Sequence, residues 1–232
     1  MKLEKVEIPY IAGLRHLRTE QFVQLAAHYA ANCITRAEVL LMRPLLKKRN
    51  RQCLVEHEGT IDGLDATIRG DDGSLAARVL LHYGKDGIPP LVNMSYIYRH
   101  NYREQKPRKH NYQSLSMLRD TYECQHSIRW GWRESIDNLA YLTLLAYGRF
   151  SNYVADQNMP PLAMASMKID FIAPLPDEGV VRLEHAIKHY VRKERRWLQV
   201  SAKISSQKRR LASAEFACCE APEIIGEIIR GG

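Results

Sequence analysis

Apolar and polar positions alternate along this chain in two blocks that echo one another. Each block opens with a nearly uncharged apolar segment of helical length and continues in strand-like alternation. In the first, Thr19 to Cys33 (TEQFVQLAAHYAANC) reads as a helix whose first-turn Glu20 suits the helix dipole. Thr35 to Met42, Gln52 to Ile61, Leu64 to Arg69 and Leu75 to Tyr83 read as strands. Asp71-Asp72-Gly73-Ser74 reads as a hairpin turn between the last two. In the second, Glu134 to Asp156 reads as a helix, and from Asn138 to Phe150 its only charge is Arg149. Apolar residues lie on all its sides, so other structure must wrap it. Ser135 or Asp137 caps its start, and Pro160-Pro161 closes the region.

Four further strands are expected: Ala165 to Ala173, Val180 to Val191, Trp197 to Ser205 and Leu211 to Cys219. Met167, Ile169 and Phe171 are predicted to face inward and Lys168 and Asp170 outward. Leu198, Val200, Ala202 and Ile204 share one face of the third. A strand precedes each helix, Lys2 to Pro9 and Thr121 to Trp130. Pro44-Leu45-Leu46 matches Pro174-Leu175-Pro176, and Val55-Glu56-His57 matches Leu183-Glu184-His185. The break at Lys85 to Pro90 opens a connector, and Tyr96 to Tyr112, four tyrosines among basic residues, reads as a linker or an edge strand plus loop. The expected division is a unit over 1–84, a connector over 85–112 and a second unit over 113–232.

Composition excludes several classes. With 45% hydrophobic and 26% charged residues in 232, the chain is neither disordered nor collagen-like. No apolar run is long enough to span a membrane, and Met1 to Glu7 alternates charge instead of forming a signal-peptide core, so a cytoplasmic protein is expected. Five cysteines without a CxxC or Cys/His ligand spacing argue against a disulfide framework or a metal site, and no cofactor is implied. The net charge of +8 is clustered at Lys47 to Arg51, Arg103 to His110, Arg192 to Arg196 and Lys208 to Arg210. Such patches suit solvated turns, or polyanions: nucleic acid, coenzyme A phosphates or an acidic carrier protein.

A strand, a buried helix and an antiparallel meander, twice over, is an α+β arrangement. Ile128-Arg129-Trp130-Gly131-Trp132 followed by Ile136-Asp137-Asn138-Leu139-Ala140-Tyr141-Leu142 resembles the active-site region of 4-hydroxybenzoyl-CoA-type thioesterases of the hotdog superfamily. In that pattern R-W-G-D-x-D precedes a short loop and H-V-N-N-x-x-Y-L. Two units in one chain resemble the double hotdog of acyl-ACP thioesterases, in which two long buried helices are each wrapped by antiparallel sheet. The likeness covers about 121–220, is faint over 1–84 and is absent from the connector. Trp132 stands at the family's first Asp, Glu134 aligns with the second across a shortened loop, and Asp137 lies near the place of the family's His. No His lies in a Phe-Pro-Gly-rich loop, which sets a hydroxyacyl dehydratase aside.

Thioester hydrolysis needs a carboxylate, donors for the oxyanion and an apolar channel. The resemblance places the catalytic residues at Glu134, Asp137 and Asn138, with substrate contacts from Trp130, Trp132, Arg133 and Tyr141. Glu134 and Asp137 share a helix face, and which carboxylate reacts stays open. The same residues have structural readings: a cap for Asp137, a solvent-facing first turn for Glu134, core packing for Tyr141, Trp130 and Trp132. His57 and His185 read as satisfied strand histidines. The first helix offers Glu20, Gln21 and His28 without a motif, so the first half is expected to serve as a wall for the other's site, a pseudo-dimer within one chain. The expected activity is a hydrolase of fatty acid metabolism acting on acyl-CoA or acyl carrier protein. A non-hydrolytic acyl-thioester binder or acyltransferase is the alternative. A nucleic-acid-binding module ranks last, because the basic residues fall at separated turns.

Overall fold

The structure is a computed structural model that describes residues 2–7, 19–41, 52–90, 113–118, 121–131, 138–146, 162–176, 178–192, 194–207 and 209–220. Its described strands are β1 (Lys2–Glu7), β2 (Ile34–Leu41), β3 (Gln52–Gly59), β4 (Gly63–Arg69), β5 (Leu75–Tyr83), β6 (Gln113–Leu118), β7 (Thr121–Gly131), β8 (Leu162–Phe171), β9 (Glu178–Arg192), β10 (Arg195–Ser206) and β11 (Arg209–Glu220). Helix α1 (Thr19–Ala27) follows β1, and helix α2 (138–146) follows β7.

These strands form one antiparallel sheet in the order β1-β3-β4-β5-β2-β8-β11-β10-β9-β7-β6. The order reads the same outward from its centre: β2 to β5, β4, β3 and β1 on one side, β8 to β11, β10, β9 and β7 on the other. The repeat seen in the sequence is therefore present in the strand order. The edge strand β6 has no first-half counterpart among the described residues.

The centre is the pairing of β2 with β8, where Ala37 faces Ile169 and Val39 faces Met167. All four are buried. Between them, on the other face, Glu38 lies across from Lys168, and Arg36 Nε donates to Asp170 Oδ1 at 2.5 Å. Apolar partners inside and opposite charges outside fix this register, because a slip of one residue would put the charges in the core. The spacing that carries His57 onto His185 also carries Val39 onto Met167, so this pair marks the centre of the repeat.

Helix α1 packs on β2 to β5. It is shorter than the sequence pattern predicts, ending at Ala27 rather than Cys33. The reason is tertiary. The last turn tightens through Tyr29 N–H to Ala26 O and Ala30 N–H to Ala27 O, each 3.1 Å, and Ala31 N–H turns to the Tyr83 hydroxyl at 3.2 Å. At the tip of the β4–β5 hairpin, Asp72 Oδ1 accepts the Ser74 N–H at 3.0 Å, and Gly73 supplies the left-handed φ of 76°. β10 buries Leu198, Val200, Ala202 and Ile204 as its alternation predicts, and β8 buries Met167, Ile169 and Phe171.

Each half sets a third-strand histidine against the far end of its helix. His57 stacks on Tyr29, ring centroids 4.2 Å apart and planes 18° from parallel. His185 Nε2 lies 2.9 Å from the carbonyl oxygen of Ala146. Burial, and then the Glu4 carboxylate, push the Tyr29 hydroxyl up to about 12. Among the described residues no helix is long and apolar enough to cross a membrane.

Candidate active site

The first described turn of α2 sits at one edge of the sheet, and strand ends converge there. Gly131, closing β7, pairs with Glu178 at the start of β9. Val181 pairs with Ser206 at the end of β10. Ala212, near the start of β11, pairs with Phe171, the last residue of β8. The chain leaving β8 is held by Ile172 and Ala173, whose N–H groups both donate to Leu211 O at 2.8 and 3.0 Å. It then meets α2, where Leu175 N–H donates to Asn138 Oδ1 at 2.8 Å. The proline turn read from the sequence thus lies against the helix start, with Leu175 buried. Exposed Arg209 and Arg210 begin β11 at the same edge, beside Gln207 in the left-handed region at φ 54°.

Of the residues the sequence singles out, Asn138 and Tyr141 are described together on α2. Tyr141 is buried among the apolar core. Arg129, Trp130 and Gly131 end β7, with Trp130 paired to Gly179. Trp132, Arg133, Glu134 and Asp137 lie outside the described residues. The Asn138 carboxamide has a definite job: its oxygen anchors the β8–β9 loop. Beyond Asn138 and Tyr141 the described part of α2 is apolar except for Thr143, whose buried Oγ1 donates to Leu139 O at 2.7 Å.

Electrostatics beyond this edge are set by burial. His185 is 3% exposed, and desolvation lowers its pKa against the opposing effect of the Ala146 carbonyl. Burial pushes the thiols of Cys53 and Cys218 up to about 12, which leaves them inert as nucleophiles. Among the described residues no group of His, Cys, Asp or Glu is placed to hold a metal ion.

A surface cavity of about 410 Å³ lies elsewhere, bordered by Glu38, Leu40, Arg78, Lys168, Tyr190 and Glu215. The side chains of Glu38 and Lys168 alternate with core residues, so it opens on the face of β2 and β8 turned away from the core. Its mixed charges make it no acyl channel.

Sequence reasoning named Glu20, Gln21 and His28 on α1 without giving them a role and passed over Gln24. The first turns of α1 bury Thr19, Glu20, Gln21 and Gln24. Gln24, one turn beyond Glu20, was the available signal.

No protein-family model and no curated protein matches the sequence. Solved structures do match in fold. An oleoyl thioesterase from Lactobacillus plantarum superposes with a TM-score of 0.61 at 11% identity, over 95% of this chain and 96% of that one. The N-terminal dehydratase of the difficidin assembly line superposes at 0.56 and 11% identity, over 99% and 98%. A hot dog fold protein of unknown function from Alicyclobacillus acidocaldarius superposes at 0.54 and 11% identity, over 95% and 94%. The protein is thus α+β, a large antiparallel sheet carrying few helices. Its fold is the hotdog fold.

Proposed function

We propose that the protein is a thioesterase hydrolysing an acyl thioester of coenzyme A or of an acyl carrier protein. It is built as a double hotdog, with units at 1–84 and 113–232 joined by 85–112. The observation that carries this reading is the hydrogen bond from Leu175 N–H to Asn138 Oδ1, which sets the first described turn of α2 against the β8–β9 loop at a sheet edge. The fold shared with a thioesterase supports it.

In this reading Glu134 or Asp137 takes a proton from water as the oxygen bonds to the thioester carbon. N–H groups of the helix start hold the oxyanion, and the C–S bond then breaks to give acid and thiol. Asn138 keeps its oxygen on Leu175 N–H and turns its NH₂ toward substrate. Trp130, Trp132, Arg133 and Tyr141 line the acyl and thiol ends. Arg209 and Arg210 draw phosphates to the same edge, as cationic rims do.

Thiol release from a panel of acyl-CoA and acyl-carrier substrates tests this. Catalysed release that falls about a hundredfold or more in Glu134→Gln or Asp137→Asn supports it. Acyl-thioester binding with no release by the native chain points instead to a non-hydrolytic binder or acyltransferase.

A further inference from the structure

Helix α1 is amphipathic in sequence yet every one of its nine residues is buried. Phe22, Val23, Leu25 and Ala26 belong to the apolar core. Glu20, Gln21, Gln24 and His28 form the opposite stripe, and only His28 is exposed. Glu20 and Gln24, each 2% exposed, lie one turn apart on one face. Gln24 Nε2 is buried and has no hydrogen-bond partner among the described residues. Burying a carboxamide unpaired costs folding free energy, and a helix selected only for packing would carry leucine there. α2 does so, with Leu142, Leu144 and Leu145 buried and its Thr143 hydroxyl satisfied.

The stripe begins where the halves meet. Thr19 Oγ1 reaches the Met164 sulfur on β8 at 3.1 Å. The start of β8 adjoins the end of β11, whose Cys219 pairs with Trp197 at the start of β10. The β9–β10 hairpin at this edge exposes Arg192, Arg195 and Arg196. Two strand spacings, about 10 Å, separate β8 from β10. Asp71 and Asp72 are exposed on the other side of the edge, so its positive potential lies toward the arginines.

We propose that the Glu20–Gln24 face of α1 is a second reactive centre for an acyl thioester, in the half that sequence alone treats as a wall. It rests on the thioesterase reading but uses the other helix. Glu20 takes a proton from water as the water oxygen bonds to the thioester carbon, and the Gln24 amide holds that water or the carbonyl oxygen. The C–S bond breaks, the thiolate takes the proton back from Glu20, and acid and thiol leave. The arginine hairpin holds the phosphates of the thiol moiety.

The test is thiol release from an acyl-CoA panel by the full chain, with thermal unfolding of each variant. In the background of Glu134→Gln or Asp137→Asn, whichever silences α2, Glu20→Gln lowers the remaining kcat about tenfold or more with Tm nearly unchanged. In the same background Gln24→Leu lowers the remaining kcat about tenfold or more yet raises Tm by about 2–4 °C, because it removes a buried amide that the described residues leave unpaired. Should Glu20→Gln not fold, Gln24→Leu decides alone. A lowered Tm in Gln24→Leu makes the amide structural and overturns the inference. No turnover remaining in that background, or remaining turnover changed less than about twofold by either substitution, overturns it and leaves the thioesterase reading standing. Absence of thiol release by the native chain overturns both.

Discussion

His185 Nε2 stands 2.9 Å from the carbonyl oxygen of Ala146, pinning the middle of β9 to α2. The ring is held neutral by desolvation, below its ordinary value of 6.5. The unfolded chain therefore binds a proton at this site more readily than the folded one. Stability contributed by neutral His185 is complete above pH 6.5 and is lost as pH falls below it. Urea unfolding between pH 5 and pH 7.5 should show this acid limb. His185→Leu should flatten it and cost about 1–3 kcal/mol at neutral pH, because the Ala146 carbonyl loses its partner.

Asn138 anchors the β8–β9 loop through its oxygen. Asn138→Asp keeps an acceptor for Leu175 N–H and should unfold within about 0.5 kcal/mol of native, whereas Asn138→Ala should lose about 1 kcal/mol. If the NH₂ serves substrate, both variants lose turnover. Equal stability of Asn138→Ala and native would show that the anchor carries no weight.

At the junction of the two halves, burial should outweigh charge. Ile169 is fully buried opposite Ala37, and Ile169→Ala should cost about 2–5 kcal/mol. Arg36 and Asp170 are each 38% exposed, so a double-mutant cycle across them should give no more than about 1 kcal/mol, shrinking with added salt. A coupling several times larger would mean that the ion pair, not the apolar face, joins β2 to β8.

Cys53 and Cys218 form no disulfide and lie deep in the core. Cys53 and Cys218, with thiols pushed up to about 12, should resist alkylation in the native chain at pH 8 and label only on unfolding. Peptide mapping after brief alkylation reads this directly. Rapid native labelling of Cys218 would show that the β8–β11 region opens.

Much of this architecture is legible in local pattern, because strand alternation and turn residues act locally. Leu75–Tyr83 falls where the sequence puts it, and the Asp71 to Ser74 turn has the left-handed glycine its composition implies. The repeat is legible because each half must bury the same faces. What fails to show is set by distant partners. Helix α1 stops early because the Tyr83 hydroxyl takes the Ala31 N–H. Strand β6 is an edge strand outside the expected list, paired only to β7. The buried Gln24 was passed over because a polar stripe on a helix ordinarily faces water. Asn138 was read for chemistry while its oxygen serves the fold, and nothing near it in sequence names Leu175 as its partner.

The most direct measurement is steady-state thiol release from acyl-CoA and acyl-carrier thioesters by the intact chain. Turnover well above the uncatalysed rate, collapsing when the carboxylates at the helix starts are neutralised, is the predicted result. Release no faster than in buffer for every acyl chain and both thiol carriers would contradict it.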